Sequence, residues 1–448
     1  MAIMEQQAVY LVSLGCPKNL VDSEVIAGNL LSNGAAWAYT PEEATIYVIN
    51  TCAFLPEARE EAEQEISLGA AWKDALPGER TLIVCGCLSQ YDKDGVYSAK
   101  YPQVDIWAGV DDVARLSDII SGKGGVSRSK DYIYDADTPL LQLTLPHTAY
   151  IKIADGCNNI CSYCAIPRLR GSIRSRRIAD VVAEAENAIS SGASELILVA
   201  QDITAFGSDH PQDKEDLPAL LRELDKLDGE FGIRLLYTHP AHYTDELFSR
   251  LAEMKHLIPY VDIPLQHISD RILKAMNRHV DSKRIVEVIE KLREAVPGVT
   301  IRTTFITGLP GESEEEFSQL EKFIKTMKFD RMGVFPYSPE PGTPAAGMAD
   351  QIPFEVAEAR AAKLMAYQRK AMARANKKLV GTELEVTVDC IEGDFAVCRG
   401  NADAPDIDNV VYVDIARRRV SEGDRLRVEV AGTSKSDLVA IIKKGKKK

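Results

Sequence analysis

Three cysteines, Cys157, Cys161 and Cys164, stand four and three residues apart in Gly156-Cys157-Asn-Asn-Ile-Cys161-Ser-Tyr-Cys164. The chain has nine cysteines and no evident export signal, which argues for metal or catalysis over disulfides, because the cytosol keeps thiols reduced and the count is odd. A structural zinc takes four protein ligands and an iron–sulfur cluster usually takes four cysteines, yet no fourth Cys or His lies close by in sequence. Three thiolates on a cubane leave one iron open, and an open iron can be chelated by a substrate. The other reading is a zinc knuckle completed from elsewhere in the chain.

The run Tyr150-Ile-Lys-Ile153 before these cysteines has the character of a strand. The sulfurs then sit in a loop at a strand's carboxyl end, where open α/β sheets and barrels keep their chemistry. Five further strand-like runs alternate with helical patterns: Glu195–Ala200, Ile233–Tyr237, Pro259–Ile263, Thr300–Thr307 and Met332–Tyr337. Six units without a seventh and eighth predict an open, partial (β/α)6 barrel across residues 149–375. Candidate residues follow these strands: Gln201 and Asp202, His239, His267, and the turn Gly308-Leu-Pro-Gly311-Glu312. Glycine at 308 and 311 lets backbone approach a ligand, and the helix starting near Ser313 offers its positive end to a carboxylate or ribose hydroxyl. The same turn also suits plain βα packing, and both histidines suit structural roles. Arg168, Arg170, Arg174, Arg176 and Arg177 form a basic run that is either a solvated face or an anion site.

Residues 7–125 predict a smaller parallel α/β domain. Its strands Val9–Leu14, Thr45–Asn50 and Thr81–Val84 each run into cysteine, at Cys16, Cys52 and the pair Cys85 and Cys87. Parallel strands bring their carboxyl ends to one edge, so three distant cysteines should meet as a second three-thiolate site. Gly86 lets the chain leave the strand before Cys87, which favours Cys87 as the ligand and Cys85 as packing. A helix is expected over Asp112–Ser121, and a linker or short hairpin over 126–148.

Residues 376–448 turn to β patterning, with runs at Glu383–Asp389, Ala396–Arg399, Val410–Val413 and Arg425–Val430, and predict a small antiparallel barrel with a lysine tail. Cys390 and Cys398 are read as packing. From Leu379 to Ile442 there are 13 acidic and 7 basic residues, the wrong sign for RNA and the right one for a basic protein. The whole chain carries a net charge of −14, and no apolar run approaches membrane-spanning length, so a cytoplasmic protein with no membrane partner is expected.

The spacing Cys157-x3-Cys161-x2-Cys164 with an aromatic, Tyr163, before the last cysteine resembles the radical S-adenosylmethionine (SAM) enzymes. Gly15-Cys16, Asn50-Thr51-Cys52, Gly86-Cys87 and the stretch from Gly156 to Gly171, together with a terminal barrel like the TRAM module, resemble one branch of them, the methylthiotransferases, over nearly the whole chain. That resemblance implies two [4Fe-4S] clusters, Cys157, Cys161 and Cys164 holding the SAM cluster and Cys16, Cys52 and Cys87 the auxiliary one. It also implies SAM as cosubstrate, with Tyr163, Gln201, Asp202, Gly308, Gly311 and Glu312 as cofactor contacts, and a reductant such as flavodoxin or ferredoxin.

Within the branch, the run from Ser13 to Glu24, Pro264-Leu-Gln-His267 and Asp403-Ala-Pro-Asp-Ile-Asp408 look like the type that modifies a ribosomal protein; the tRNA types usually have Gln-Met-Asn after the first cysteine. The implied reaction adds a methylthio group to the β-carbon of an aspartate in small-subunit ribosomal protein number twelve. One SAM would methylate a sulfur at the auxiliary cluster, and a second would yield the 5′-deoxyadenosyl radical that removes the hydrogen. A tRNA adenosine substrate and a zinc-binding RNA module are the alternatives. The sequence departs from its relatives at Arg177, where many have proline, and at Cys85, commonly Thr or a small residue.

Overall fold

A computed structural model describes residues 4, 7–75, 78–416 and 418–443. The first unit is a five-stranded parallel sheet in which strands β1 (Ala8–Ser13), β2 (Ile46–Thr51) and β3 (Thr81–Gly86) are neighbours, flanked by two-residue strands at Ala36–Trp37 and Ile106–Trp107 that the sequence does not signal. Helix α1 (Pro17–Ser32) starts on proline, whose missing N–H costs nothing in a first turn, and ends where Asn33 N–H turns back to Leu30 O and Gly34 N–H to Leu31 O. Helix α2 (Pro56–Ala75) follows β2, and the short α3 (Cys87–Tyr91) follows β3. The expected helix over 112–121 is a 3-10 turn, Asp112–Arg115, running into a short helix at Leu116–Ile120.

Residues 126–147 form neither helix nor strand, so no hairpin forms there. They make a strap held by side chains: Glu24 accepts Leu143 N–H at 2.8 Å, and Asp111 accepts the Asp131 and Tyr132 amides.

The second unit is a six-stranded, all-parallel, open sheet of β4 (Thr148–Lys152), β5 (Glu195–Val199), β6 (Gly232–Leu235), β7 (Leu257–Asp262), β8 (Thr300–Thr307) and β9 (Arg331–Pro336), in sequence order across the sheet. Both faces are apolar, as buried parallel strands require. Leu196, Leu198, Ile233 and Leu235 pack on the sheet's own helices. Tyr150, Ile197, Val199 and Tyr260 join the core that holds Val21 and Val25 of α1. The first unit thus closes over the face that a partial barrel leaves open.

Helix α4 (Phe354–Leu379) leads to a closed barrel of β10 (Glu383–Glu392), β11 (Phe395–Arg399), β12 (Val411–Asp414), β13 (Arg425–Ser434) and β14 (Asp437–Ile442). The barrel is mixed, not antiparallel: β12 and β14 run parallel. Closing an odd number of strands makes one parallel pair unavoidable, and the fifth strand was not evident in the sequence. Cys398 is interior, but a bulge between Val388 and Cys390 leaves Cys390 half-buried, so only one of the two thiols packs as expected. Within the lysine tail, residues 444–448 lie outside the described residues. Buried ion pairs dock the barrel on the sheet: Arg399 with Glu195 at 2.9 Å, Arg331 with Asp403 at 2.5 Å and Arg302 with Asp408 at 3.6 Å. Two of the acidic residues that gave the barrel its charge therefore serve docking.

Candidate active site

The register of the first sheet sets Ser13, Asn50 and Cys85 side by side, so the chain leaves all three strands at one edge. Cys16 caps α1, Cys52 follows β2, and Cys87 opens α3. Two glycines make the approach feasible. A β-carbon on Gly15 (φ +90°) would lie 2.5 Å from Cys52 Cβ, and one on Gly86 (φ +86°) would lie 2.3 Å from Asn50 Oδ1. Asn19 and Asn50 brace the loops by donating to Leu14 O at 2.7 Å and Asn19 O at 2.9 Å, and Thr51 accepts Leu88 N–H at 3.2 Å to fix the turn that carries Cys87. Cys85 points the other way, into the core beneath α1 with Val25 and Ile83. The structure therefore brings Cys87, and not Cys85, to Cys16 and Cys52.

The second group follows β4. Gly156 (φ +78°) lies so close to the returning chain that a β-carbon would sit 2.1 Å from Ser172 O. Each sulfur has a donor: Asn159 N–H to Cys157 at 3.4 Å, Ile166 N–H to Cys164 at 3.5 Å, and the Arg278 guanidinium to Cys161 at 3.7 Å. Burial pushes the Cys157 thiol up to about 11 and the Cys164 and Cys87 thiols up to about 12. Thiols raised in this way keep their protons unless a metal displaces them, and a group of three cysteine sulfurs at each place fits iron–sulfur ligation.

Arg170 joins the two groups. Its guanidinium lies beside Cys87 and donates to Asp155 at 2.8 Å, Asp22 at 2.8 Å and Asn19 at 3.2 Å. Lys152 completes the network against Asp22 and Asp155. Burial alone would raise the Asp155 carboxyl, but Arg170 and Lys152 hold it well below the usual range. Neither reading of the basic run is right for these arginines: Arg170 and Arg176 are 1% and 2% exposed and carry internal pairs, Arg176 with Glu184. Arg170→Gln leaves two buried carboxylates short of charge and should lower unfolding stability by about 3–5 kcal/mol in urea titration.

The remaining candidates divide. Gln201 donates to Asp155 at 2.8 Å and keeps its buried Oε1 without a partner among the described residues. Asp202 accepts from Asn159 at 2.7 Å and His242 at 2.8 Å and lines, with Cys157, a cleft of about 940 Å³. Burial opposes its ionisation, yet the His242 hydrogen bond holds it below the ordinary range. Burial drives His239 itself down to about 2, so it is neutral. Tyr163 lines a smaller cleft of about 230 Å³, between Phe54 and Leu55 of the first unit and Phe335 and Tyr337 of the second.

Glu312, by contrast, is fully enclosed, taking Gly308 N–H and Arg360 at 3.2 Å. Gly308 presses on α4, where a β-carbon would lie 2.3 Å from Ala357 Cβ. Gly308→Ala should cost about 2–3 kcal/mol by denaturant midpoint, from overpacking and its positive φ of 78°. Arg278, which donates to Cys161, carries no motif in sequence and was missed. Lys18 lies inside the Ser13–Glu24 run and Asp155 directly before Gly156, but nothing in either stretch marks them as site residues.

An open parallel sheet with a three-cysteine loop after its first strand defines a radical SAM protein, and residues 151–324 match the radical SAM superfamily. Residues 8–109 match uncharacterized protein family UPF0004, and residues 380–442 the TRAM domain. The chain is 43% identical over 428 residues to the ribosomal protein uS12 methylthiotransferase RimO of Akkermansia muciniphila, covering 90% of this chain and 94% of that one. It is 42% identical to the protein of the same name from Syntrophus aciditrophicus, covering 98% of each. Among solved structures, the radical SAM methyltransferase TsrM of Kitasatospora setae shares the fold, with a TM-score of 0.57 at 13% identity over 87% of this chain and 79% of that one. The chain belongs to the RimO family of ribosomal protein uS12 methylthiotransferases.

Proposed function

We propose that this chain transfers a methylthio group to the β-carbon of an aspartate in ribosomal protein uS12. Cys157, Cys161 and Cys164 would hold the [4Fe-4S] cluster that binds SAM, and Cys16, Cys52 and Cys87 the second cluster. The observation that carries the reading is two three-thiol groups facing one domain junction, in a chain 42% identical to a named uS12 methylthiotransferase over 98% of its length. When bound, the clusters and SAM supply one-electron cleavage, hydrogen abstraction and a sulfur to transfer, which is what an unactivated carbon beside a carboxylate requires.

The chain's own residues supply placement. Arg278 and the Asn159 and Ile166 amides stabilise thiolate sulfur at the SAM loop. Gln201 Oε1 and ionised Asp202 offer acceptors for the ammonium and ribose of SAM, with Tyr163 bounding the opposite cleft. The Gly308–Glu312 turn contributes through the strand end it fixes: Glu312 Oε2 takes the Gly308 N–H and Arg360, while Oε1 faces His267 at 3.6 Å with no hydrogen bond among the described residues. The Arg170 network keeps the two loops in one register, so both act on one carbon.

A basic protein suits the acidic barrel, and a small reductant such as flavodoxin or ferredoxin suits the electron demand. Among the described residues, no helix is long and apolar enough to cross a membrane. The test is a single anaerobic reaction of reconstituted protein, SAM and reductant with uS12 and bulk tRNA together. A methylthio mass gain on uS12 alone is expected; a gain on tRNA, with binding that falls steeply with salt, would overturn the substrate.

A further inference from the structure

Lys18 lies two residues past Cys16, in the first turn of α1, and only 8% of it is exposed. Its ammonium sits 3.3 Å from the centre of the Tyr237 ring, just beyond the carboxyl end of β6. It therefore stands where the first unit meets the mouth of the second. Among the described residues it forms no ion pair with a carboxylate, whereas the other buried lysine, Lys152, has two. A ring face compensates an ammonium in part, but a cation taken out of water calls for an anion.

The seat is fixed at some cost. Tyr237 holds φ at +62°, a region tyrosine rarely adopts, and is pinned there by its own N–H to Asp262 at 3.1 Å and by Ile203 N–H to its carbonyl at 3.0 Å. The positive end of α1 adds to the lysine's field, because Cys16 caps it with no side-chain hydrogen bond. An aspartate that accepts sulfur at its β-carbon has its carboxylate bonded to that same carbon. Whatever holds that carboxylate must lie within about one hydrogen bond of the carbon that receives the sulfur. Lys18 stands two residues past Cys16 and faces the sheet that carries the Cys157 loop, on the side where such a group is needed.

We propose that Lys18, seated on the Tyr237 ring, is the clamp for the side-chain carboxylate of the substrate aspartate and so sets the preference for an acidic residue. The proposal rests on the uS12 reading above and names the residue that would enforce it. Lys18 is a binding residue here, and Tyr237 a positioning residue that acts through it.

The experiment uses reconstituted full-length protein with SAM and no reductant. Binding is measured for a uS12 peptide carrying the target aspartate and for the same peptide with asparagine. Wild type is expected to favour the aspartate peptide roughly thirtyfold or more, as buried charge pairs usually do. Lys18→Met should bring the two affinities together, mainly by weakening the aspartate peptide, and Lys18→Arg should restore part of the ratio. Iron content and the reduction potentials of both clusters are read on each variant. A ratio that survives in Lys18→Met with full iron overturns the clamp. An unchanged ratio with a shifted auxiliary-cluster potential overturns it in favour of charge compensation at the cluster. Failure of wild type to bind either peptide overturns the uS12 reading, and the clamp with it.

Discussion

Cys161→Ala is expected to abolish SAM cleavage and to halve the iron bound on reconstitution, from about eight to about four per chain. Cys161 is the deepest of its group, 7% exposed, and the one whose sulfur receives the Arg278 guanidinium. On the proposed ligation, removing it would take one of three ligands from a cluster with no fourth protein ligand to spare, and it leaves the buried cation of Arg278 without its sulfur. Iron is counted by colorimetry and cleavage by 5′-deoxyadenosine in the presence of reductant. Cys398→Ala, inside the barrel, is the control and should leave both readings at the wild-type level. Cleavage retained in the Cys161 variant would falsify the assignment of this loop.

Cys16→Ala should separate the two halves of the reaction. The SAM loop keeps all its ligands, so 5′-deoxyadenosine still forms, but iron again falls to about four per chain and no methylthio group reaches uS12. The prediction depends on Cys16, Cys52 and Cys87 acting as one group. Gly15 lies against Cys52, and burial lifts the Cys87 thiol with Cys52 and Cys16 near enough to add to the rise, so the three stand together. Full sulfur transfer by the variant would remove the second cluster from the account. Cleavage lost together with transfer would show that the first unit is needed to build the SAM site as well.

The elements around both sites were legible because they rest on local rules. Parallel strands followed by helices put their carboxyl ends together, and that alone predicted that Cys16, Cys52 and Cys87 meet. Gly86 decided between Cys85 and Cys87 for a reason the structure repeats, since only a residue free to take positive φ turns the chain there. What the sequence hid depends on partners far apart along the chain. Arg170 reads in sequence as one of five arginines of a solvated face or an anion site, yet its partners are Asp22, Asn19 and Asp155. Asp403 and Asp408 looked like part of an acidic substrate surface, but they face Arg331 and Arg302 of the sheet. The fifth barrel strand, with its parallel pairing, was missed because after Asp437 it is a short unbroken apolar run, residues 438–442, without the alternation that marks the other four. Glu312 was set among cofactor contacts by its motif, while its burial against Arg360 depends on a helix some fifty residues later.

The central claim is that a radical formed at the Cys157 loop acts on the same carbon that receives sulfur from the Cys16 side. The most direct measurement follows deuterium from a uS12 peptide whose target aspartate is deuterated at the β-carbon. In one anaerobic turnover, deuterium should appear in 5′-deoxyadenosine in step with a methylthio gain on that aspartate. Deuterium-free 5′-deoxyadenosine alongside a methylthiolated peptide would contradict the account, because the carbon would then have lost its hydrogen to some other group.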